Sequence, residues 1–173
     1  MNNNTFVHKY IKPLIHNTDT TVDMTVGNGN DTLLLSNLSK KVYGFDISIE
    51  AIRKTEARLE KNNVILIHDN HINVDKYVKE DIKLFIFNLG YLPHSEDTSC
   101  TKAKETLVAF KKAYQILSNG YIVITFYIGH IGGKDEFYLL DSYIKQNKIK
   151  IIEKYRQDKI NSPITYIIKK KSS

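Results

Sequence analysis

The sequence predicts an α/β fold: a doubly wound, seven-stranded, mostly parallel sheet with helices on both faces and an antiparallel hairpin at one edge. Three observations point to it. Apolar runs rich in Val, Ile, Tyr and Phe alternate with longer amphipathic stretches, the pattern of strand-helix-strand units. No segment recurs with the period of about 20 to 50 residues that marks a repeat protein. The stretch "TVDMTVGNGNDTLLL", 21–35, runs from a strand pattern through two closely spaced glycines into a helix pattern.

The chain opens on an amphipathic helix, 5–16 ("TFVHKYIKPLIH"). Strand one, 21–25, feeds a helix at 31–38, and strand two, 42–46 ("VYGFD"), feeds a helix at 48–61 that Ser48 caps. Strand three, 64–67 ("VILI"), precedes a helix at 72–79, and strand four, 84–88 ("LFIFN"), precedes a long helix at 101–117 that Asn119-Gly120 stops. Strand five, 121–127 ("YIVITFY"), leads to a helix at 134–146. Because each of these five strands feeds a helix, they are expected to run parallel. The last two strands, 150–155 and 165–169, are joined by little more than "RQDKINSP" and are expected to pair antiparallel at the sheet edge.

The 173 residues suffice for one domain with a proper core, and no linker or composition shift divides 1–173. Apolar residues at 42% and charged residues at 25% are ordinary for a globular protein. Cys100 is the only cysteine, which excludes an intrachain disulfide and a thiolate-only metal site and points to a reducing compartment, the cytoplasm. The start lacks the pattern of a signal peptide, and no run approaches the roughly 20 apolar residues that span a bilayer, so no membrane partner is expected. The histidines lack HExxH-type spacing, and no metal is expected. A net charge of +6 permits a polyanionic partner.

In an open α/β sheet, ligands bind outside the carboxyl ends of the strands, where the turn of Gly27 and Gly29 lies. A dinucleotide fingerprint would place a third glycine where Thr32 stands, and Asp23 and Asp31 would repel a phosphate at the helix start. No G-x-x-x-x-G-K-[ST] P-loop is present either. S-adenosylmethionine (SAM) fits better, because it has no phosphate and its ammonium suits Asp23. Asp46, ending strand two, is placed to accept ribose hydroxyls, which suits SAM or NAD equally; it is also a possible helix cap. Asp69 in "LIHDNH" is placed toward an adenine. Strand four ends at Asn88, followed by Gly90, Tyr91 and Pro93.

The stretches "DMTVGNGNDT" (23–32), "VYGFDI" (42–47), "HDNH" (68–71), "FNLGYLP" (87–93), "YIGHIGGKDE" (127–136) and "NSP" (161–163), in this order, resemble the class I SAM-dependent methyltransferases of the YtqB/MnmM-type family, once catalogued as rRNA methylases. The resemblance covers nearly the whole chain, with small departures at Met24, Val26 and Asn30. It implies a Rossmann-like class I methyltransferase fold and methylation of the 5-aminomethyl group of 5-aminomethyl-2-thiouridine at the tRNA wobble position. SAM is then the donor and S-adenosylhomocysteine (SAH) the product. It further implies a homodimer, a tRNA anticodon loop as partner, and cofactor contacts from Asp23, Thr25, Gly27, Asn28, Gly29, Asn30, Asp31, Thr32, Asp46, Ile47, Asp69, His71, Asn88, Leu89 and Gly90.

For the chemistry, Asn88 with the carbonyls of Leu89 and Gly90 resembles an amine-holding acceptor cluster. Tyr91 is available to stack on a base, and His130 is the first candidate to take a proton, with His71 second. Three alternatives stand beside this reading: a SAM-dependent enzyme acting on rRNA or a small-molecule amine, a non-catalytic RNA-binding module, and an NAD-dependent oxidoreductase.

Overall fold

A computed structural model of the chain describes residues 1–90 and 99–173. The chain runs α1 (Asn3–Ile11), β1 (Thr20–Asp23), α2 (Asn30–Leu38), β2 (Lys41–Asp46), α3 (Ile49–Arg58), β3 (Val64–His68), α4 (Val74–Tyr77), β4 (Leu84–Leu89), α5 (Ser99–Ile116), β5 (Gly120–Phe126), α6 (Gly133–Gln146), β6 (Ile151–Arg156) and β7 (Ile164–Lys170). Boundaries shift where local chemistry demands it. Pro13 has no N–H to give and its ring crowds the preceding turn, so α1 stops at Ile11 and tightens into a 3-10 turn over Lys12–Leu14. The helix expected at 72–79 is a 3-10 turn over His71–Asn73, whose first amides are met by Asn70 Oδ1 at Ile72 N (3.0 Å), followed by the four residues of α4. Ser48 caps α3 by accepting from Ala51 N at 3.2 Å.

All seven strands form one sheet in the order β3-β2-β1-β4-β5-β7-β6. β1 to β5 are mutually parallel, and β7 is antiparallel to both β5 and β6. The hairpin returns on itself, so β7 docks against β5 and β6 becomes the edge. Composition explains the choice. The middle of β7 is buried, whereas β6 exposes Glu153, Lys154 and Arg156, charges that protect an open edge from pairing with another chain.

The two faces carry separate cores. Val7 and Ile11 of α1 and Leu35 of α2 pack with Val42, Ile86, Val123 and Ile167 on one face. Phe110 and Ala113 of α5 and Leu140 and Ile144 of α6 pack with Phe85, Phe87, Ile122, Ile124 and Phe126 on the other. This layering leaves the carboxyl ends of β1 and β4, neighbours whose following helices α2 and α5 lie on opposite faces, as the topological switch point of the sheet.

Candidate active site at the switch point

The glycine turn is held from within. Asp23, the last residue of β1, is fully buried, accepting from Thr25 N at 3.0 Å and from Thr32 Oγ1 at 2.7 Å. Burial, with the nearby charge of Asp31, pushes its carboxyl up to about 7. Both its oxygens tie the turn to the first residues of α2. Thr32 is likewise buried beneath the turn, and Gly29 serves as the left-handed N-cap of α2 (φ 84°), facing Thr55 of α3. Gly27 differs. Its φ is 53°, and a Cβ there would meet nothing closer than Thr25 O at 3.9 Å, so the backbone lies open to a ligand.

Asp46, ending β2, accepts from Gly27 N through Oδ2 and from Ser48 N through Oδ1, each at 2.8 Å, which leaves each oxygen capacity for a further donor. Asp69 accepts from Asn70 N (2.7 Å), Asn73 Nδ2 (3.0 Å) and Tyr77 OH (2.7 Å), and these bonds hold its carboxyl below the usual range. His71 Nδ1 lies 2.9 Å from Met24 O, which accepts only, so Nδ1 carries the hydrogen. Burial depresses the imidazole's pKa, keeping the ring neutral with Nε2 as an acceptor.

At the end of β4, Asn88 N donates to Thr25 Oγ1 at 2.8 Å. The side-chain Nδ2 faces two acceptors, Asp31 Oδ2 at 3.3 Å and Asn4 Oδ1 at 3.4 Å, and this fixes which end of the amide carries nitrogen. Asn88 Oδ1 is buried and finds no hydrogen-bond partner among the described residues. A buried acceptor left unpaired costs about 1 to 3 kcal/mol, and Asn88 carries this one beside both clefts. Gly90 O accepts from Lys102 Nζ at 3.3 Å.

Two adjoining clefts meet over Thr25, Gly27, Asp46, Ile47, Asn88 and Gly90. The first lies over the carboxyl ends of β1, β2 and β4. It has apolar walls (Met24, Phe45, Ile47, Leu89), with Asp69 and His71 at one end and Lys102, Glu105 and Thr106 of α5 along its side. The second is lined by Asn28, Asn30 and Asp31 of the turn, by Asn4 of α1, by Ser48 and Lys54 beside and within α3, and by Tyr127 after β5. Among the described residues, no three His, Cys, Asp or Glu side chains converge as metal ligands. No described helix is long and apolar enough to cross a membrane.

The family model described as "Putative rRNA methylase" matches residues 42–169, most of the chain. The chain belongs to this rRNA methylase family. Among solved structures, a methyltransferase of Streptococcus mutans crystallised with SAH is 34% identical, covers 98% of each chain and superposes with a TM-score of 0.85. An rRNA methylase of Clostridium thermocellum is 35% identical, again over 98% of each chain, with a TM-score of 0.84. A chloroplastic Arabidopsis thaliana protein named tRNA (mnm(5)s(2)U34)-methyltransferase is 34% identical over 154 residues, 79% of this chain. The match spans only 56% of that relative's length.

The cleft of this rRNA methylase family member suits SAM. Its first cleft has apolar walls with Asp46 on its border, and the open Gly27 backbone lets a ligand approach closely. Of the cofactor contacts expected from sequence, Thr25, Gly27, Asn28, Asn30, Asp31, Asp46, Ile47, Asp69, His71, Asn88, Leu89 and Gly90 line the two clefts, while Asp23, Gly29 and Thr32 do not. Tyr91 lies outside the described residues. His130 is exposed and lines neither cleft; its ring stacks on Tyr127 at 5.3 Å, one layer outward from Asn88. Sequence reasoning missed Asn4, His8, Tyr127 and Arg58. Asn4 and His8 carried a usable signal, since their four-residue spacing puts them on one face of α1, while Val7 and Ile11 face the core. Arg58 grips the turn from α3, donating to Asn28 O and, at 3.1 Å, to Asn30 Oδ1.

Proposed function

We propose that this protein methylates the primary amine of 5-aminomethyl-2-thiouridine at the wobble position of tRNA, giving the 5-methylaminomethyl nucleoside, with SAM as donor. The observation that carries the reading is Asn88, which lines both clefts and whose buried Oδ1 has no partner among the described residues. An amine N–H can supply such a donor, as a hydroxyl or an amide can. The name of the Arabidopsis relative points to the same nucleoside. The anticodon loop presents its bases already splayed, so an aminomethyl arm can enter the cleft with little unpairing.

The chain's own groups have two tasks, holding the amine and keeping the ammonium form from prevailing. SAM supplies an electrophilic methyl on a sulfonium. A free alkylamine, with a pKa near ~10.4, is neutral only about once in 10³ molecules at neutral pH. Acceptors fixed on its N–H bonds orient the nitrogen lone pair, and a partly desolvated cleft favours the neutral form. The reading takes 1–173 as one methyltransferase domain acting in the cytoplasm as a homodimer.

The test is to incubate the protein with methyl-labelled SAM and, separately, tRNA bearing the 5-aminomethyl-2-thiouridine, tRNA lacking the amine, ribosomal RNA and small alkylamines. Label confined to the aminomethyl tRNA is expected. Label on ribosomal RNA or on free amines instead would move the substrate to one of those classes.

A further inference from the structure

We propose that Asp31, oriented by His8, is the carboxylate that receives the substrate's amine beside Asn88 Oδ1. The inference rests on the amine reading above and names a second group of the same site. His8 Nε2 lies 2.6 Å from Asp31 Oδ1. An imidazole nitrogen so close to a carboxylate oxygen carries a hydrogen, so His8 donates and one oxygen of Asp31 is committed. The other, Oδ2, faces Asn88 Nδ2 at 3.3 Å, and Asp31 lines the second cleft with its side chain only 10% exposed. Asp31 and Asn88 thus sit side by side at the second cleft, Asp31 Oδ2 accepting from Asn88 Nδ2 while Asn88 Oδ1 has no partner among the described residues. A primary amine has two N–H bonds to place.

The arrangement is built by α1 rather than by the glycine turn. Asn3 Nδ2 donates to Pro163 O (3.1 Å) and Thr165 Oγ1 (2.9 Å), and Phe6 stacks on Tyr155 at 4.1 Å, which pins α1 to β6 and β7. One helical turn apart, Asn4 and His8 then reach the cleft side, Asn4 toward Asn88 and Tyr127, and His8 toward Asp31. Both of the bonds found for Asp31 therefore run to the α1 and β4 side of the turn. That side is the substrate's approach, and it separates Asp31 from the cofactor contacts among which the resemblance placed it. In the reaction, the ammonium docked on Asp31 releases one proton to solvent through the open cleft. The neutral amine keeps its two N–H bonds on Asp31 Oδ2 and Asn88 Oδ1. Its lone pair forms the N–C bond as the methyl C–S bond breaks, with that bonding pair passing to sulfur. Asp31 is a catalytic residue in this account, and His8 is a positioning residue.

The experiment reads binding, so it does not depend on turnover. In the presence of SAH, the affinities of two anticodon stem-loops are compared, one with 5-aminomethyl-2-thiouridine and one with 2-thiouridine, for wild type, Asp31→Asn, His8→Ala and His8→Gln. The expected result is that the amine strengthens wild-type binding at least tenfold. Asp31→Asn and His8→Ala should erase most of that gain with SAH affinity unchanged, while His8→Gln, whose amide N–H can still donate to Asp31, should restore it. A gain that survives Asp31→Asn overturns this assignment and leaves the amine substrate standing. A loss of SAH affinity in Asp31→Asn equal to its loss of RNA affinity returns Asp31 to the cofactor and also overturns it. No gain from the amine in wild type overturns both this assignment and the substrate reading.

Discussion

The N–H of Gly27 donates to Asp46 Oδ2 at 2.8 Å, so one hydrogen bond joins the open glycine turn to the carboxylate that ends β2. The turn after β1 and the end of β2 are thereby held in register across the switch point.

Asp46→Ala removes that bond, the bond to Ser48 N and the two acceptors available to a ribose. Hydrogen bonds to a charged group are each worth roughly 1.5 to 3 kcal/mol, so SAM affinity should fall by about 10²-fold. Calorimetric titration with SAM checks this, and equal affinity for wild type and variant would dismiss the proposed cofactor placement.

Asp23 makes stability depend on pH in an unusual direction. Its carboxyl is pushed up to about 7 in the folded chain, so between the ordinary carboxylate range and about pH 7 the folded state binds the extra proton. The stability contributed by the neutral form is fully present in acid below the unfolded value and is lost as pH rises through about 7. The change amounts to at most ~4 kcal/mol. Denaturant titrations from pH 4.5 to 8 should show a decline in wild type that Asp23→Asn flattens; parallel profiles for the two proteins would contradict the burial argument.

His71 works the opposite way. Burial depresses its pKa, so the folded state resists protonation, and the stability it contributes is present above the ordinary histidine range and lost as pH falls through its lowered value. Protonation also removes the Nε2 acceptor from the first cleft. SAM affinity should therefore weaken on acidification in wild type, and His71→Phe should remove that acid-side weakening. An unchanged acid limb in the variant would exclude His71 as its source.

Gly29→Ala tests the turn from behind. At φ 84° an added Cβ would sit 2.5 Å from Thr55 Oγ1, so strain and overlap act together. A cost of about 2 to 4 kcal/mol is expected, lowering Tm by roughly 5 to 15 °C for a chain of this size. A melt within a degree or two of wild type would show that the contact between α2 and α3 yields freely.

Much of the fold was legible because strand and helix periods differ and each parallel strand is followed by its helix. The hairpin's docking was legible only in retrospect. "ITYII" of β7 carries no charge, whereas Glu153, Lys154 and Arg156 mark β6 as an edge, but spacing alone does not say which of two paired strands meets β5. At the site, residues within a local motif such as Gly27, Asp46 and Asn88 could be picked out, because turn chemistry acts at short range. For Asp23 composition gives the charge and not the direction of the side chain, which turns to Thr25 and Thr32. His8 and Asn4 escaped notice because they meet Asp31 and Asn88 only through the docking of α1 on β6 and β7, across more than a hundred residues of chain.

The most direct measurement is mass spectrometry of the wobble nucleoside after incubating SAM and tRNA bearing 5-aminomethyl-2-thiouridine with wild type and with Asn88→Ala, each shown beforehand to bind SAM. The account predicts a gain of one methyl on the amine with wild type and a rate lower by about 10²-fold with the variant, as loss of a positioned acceptor requires. An unmethylated nucleoside with SAM-bound wild type, or equal rates for the two proteins, would contradict it.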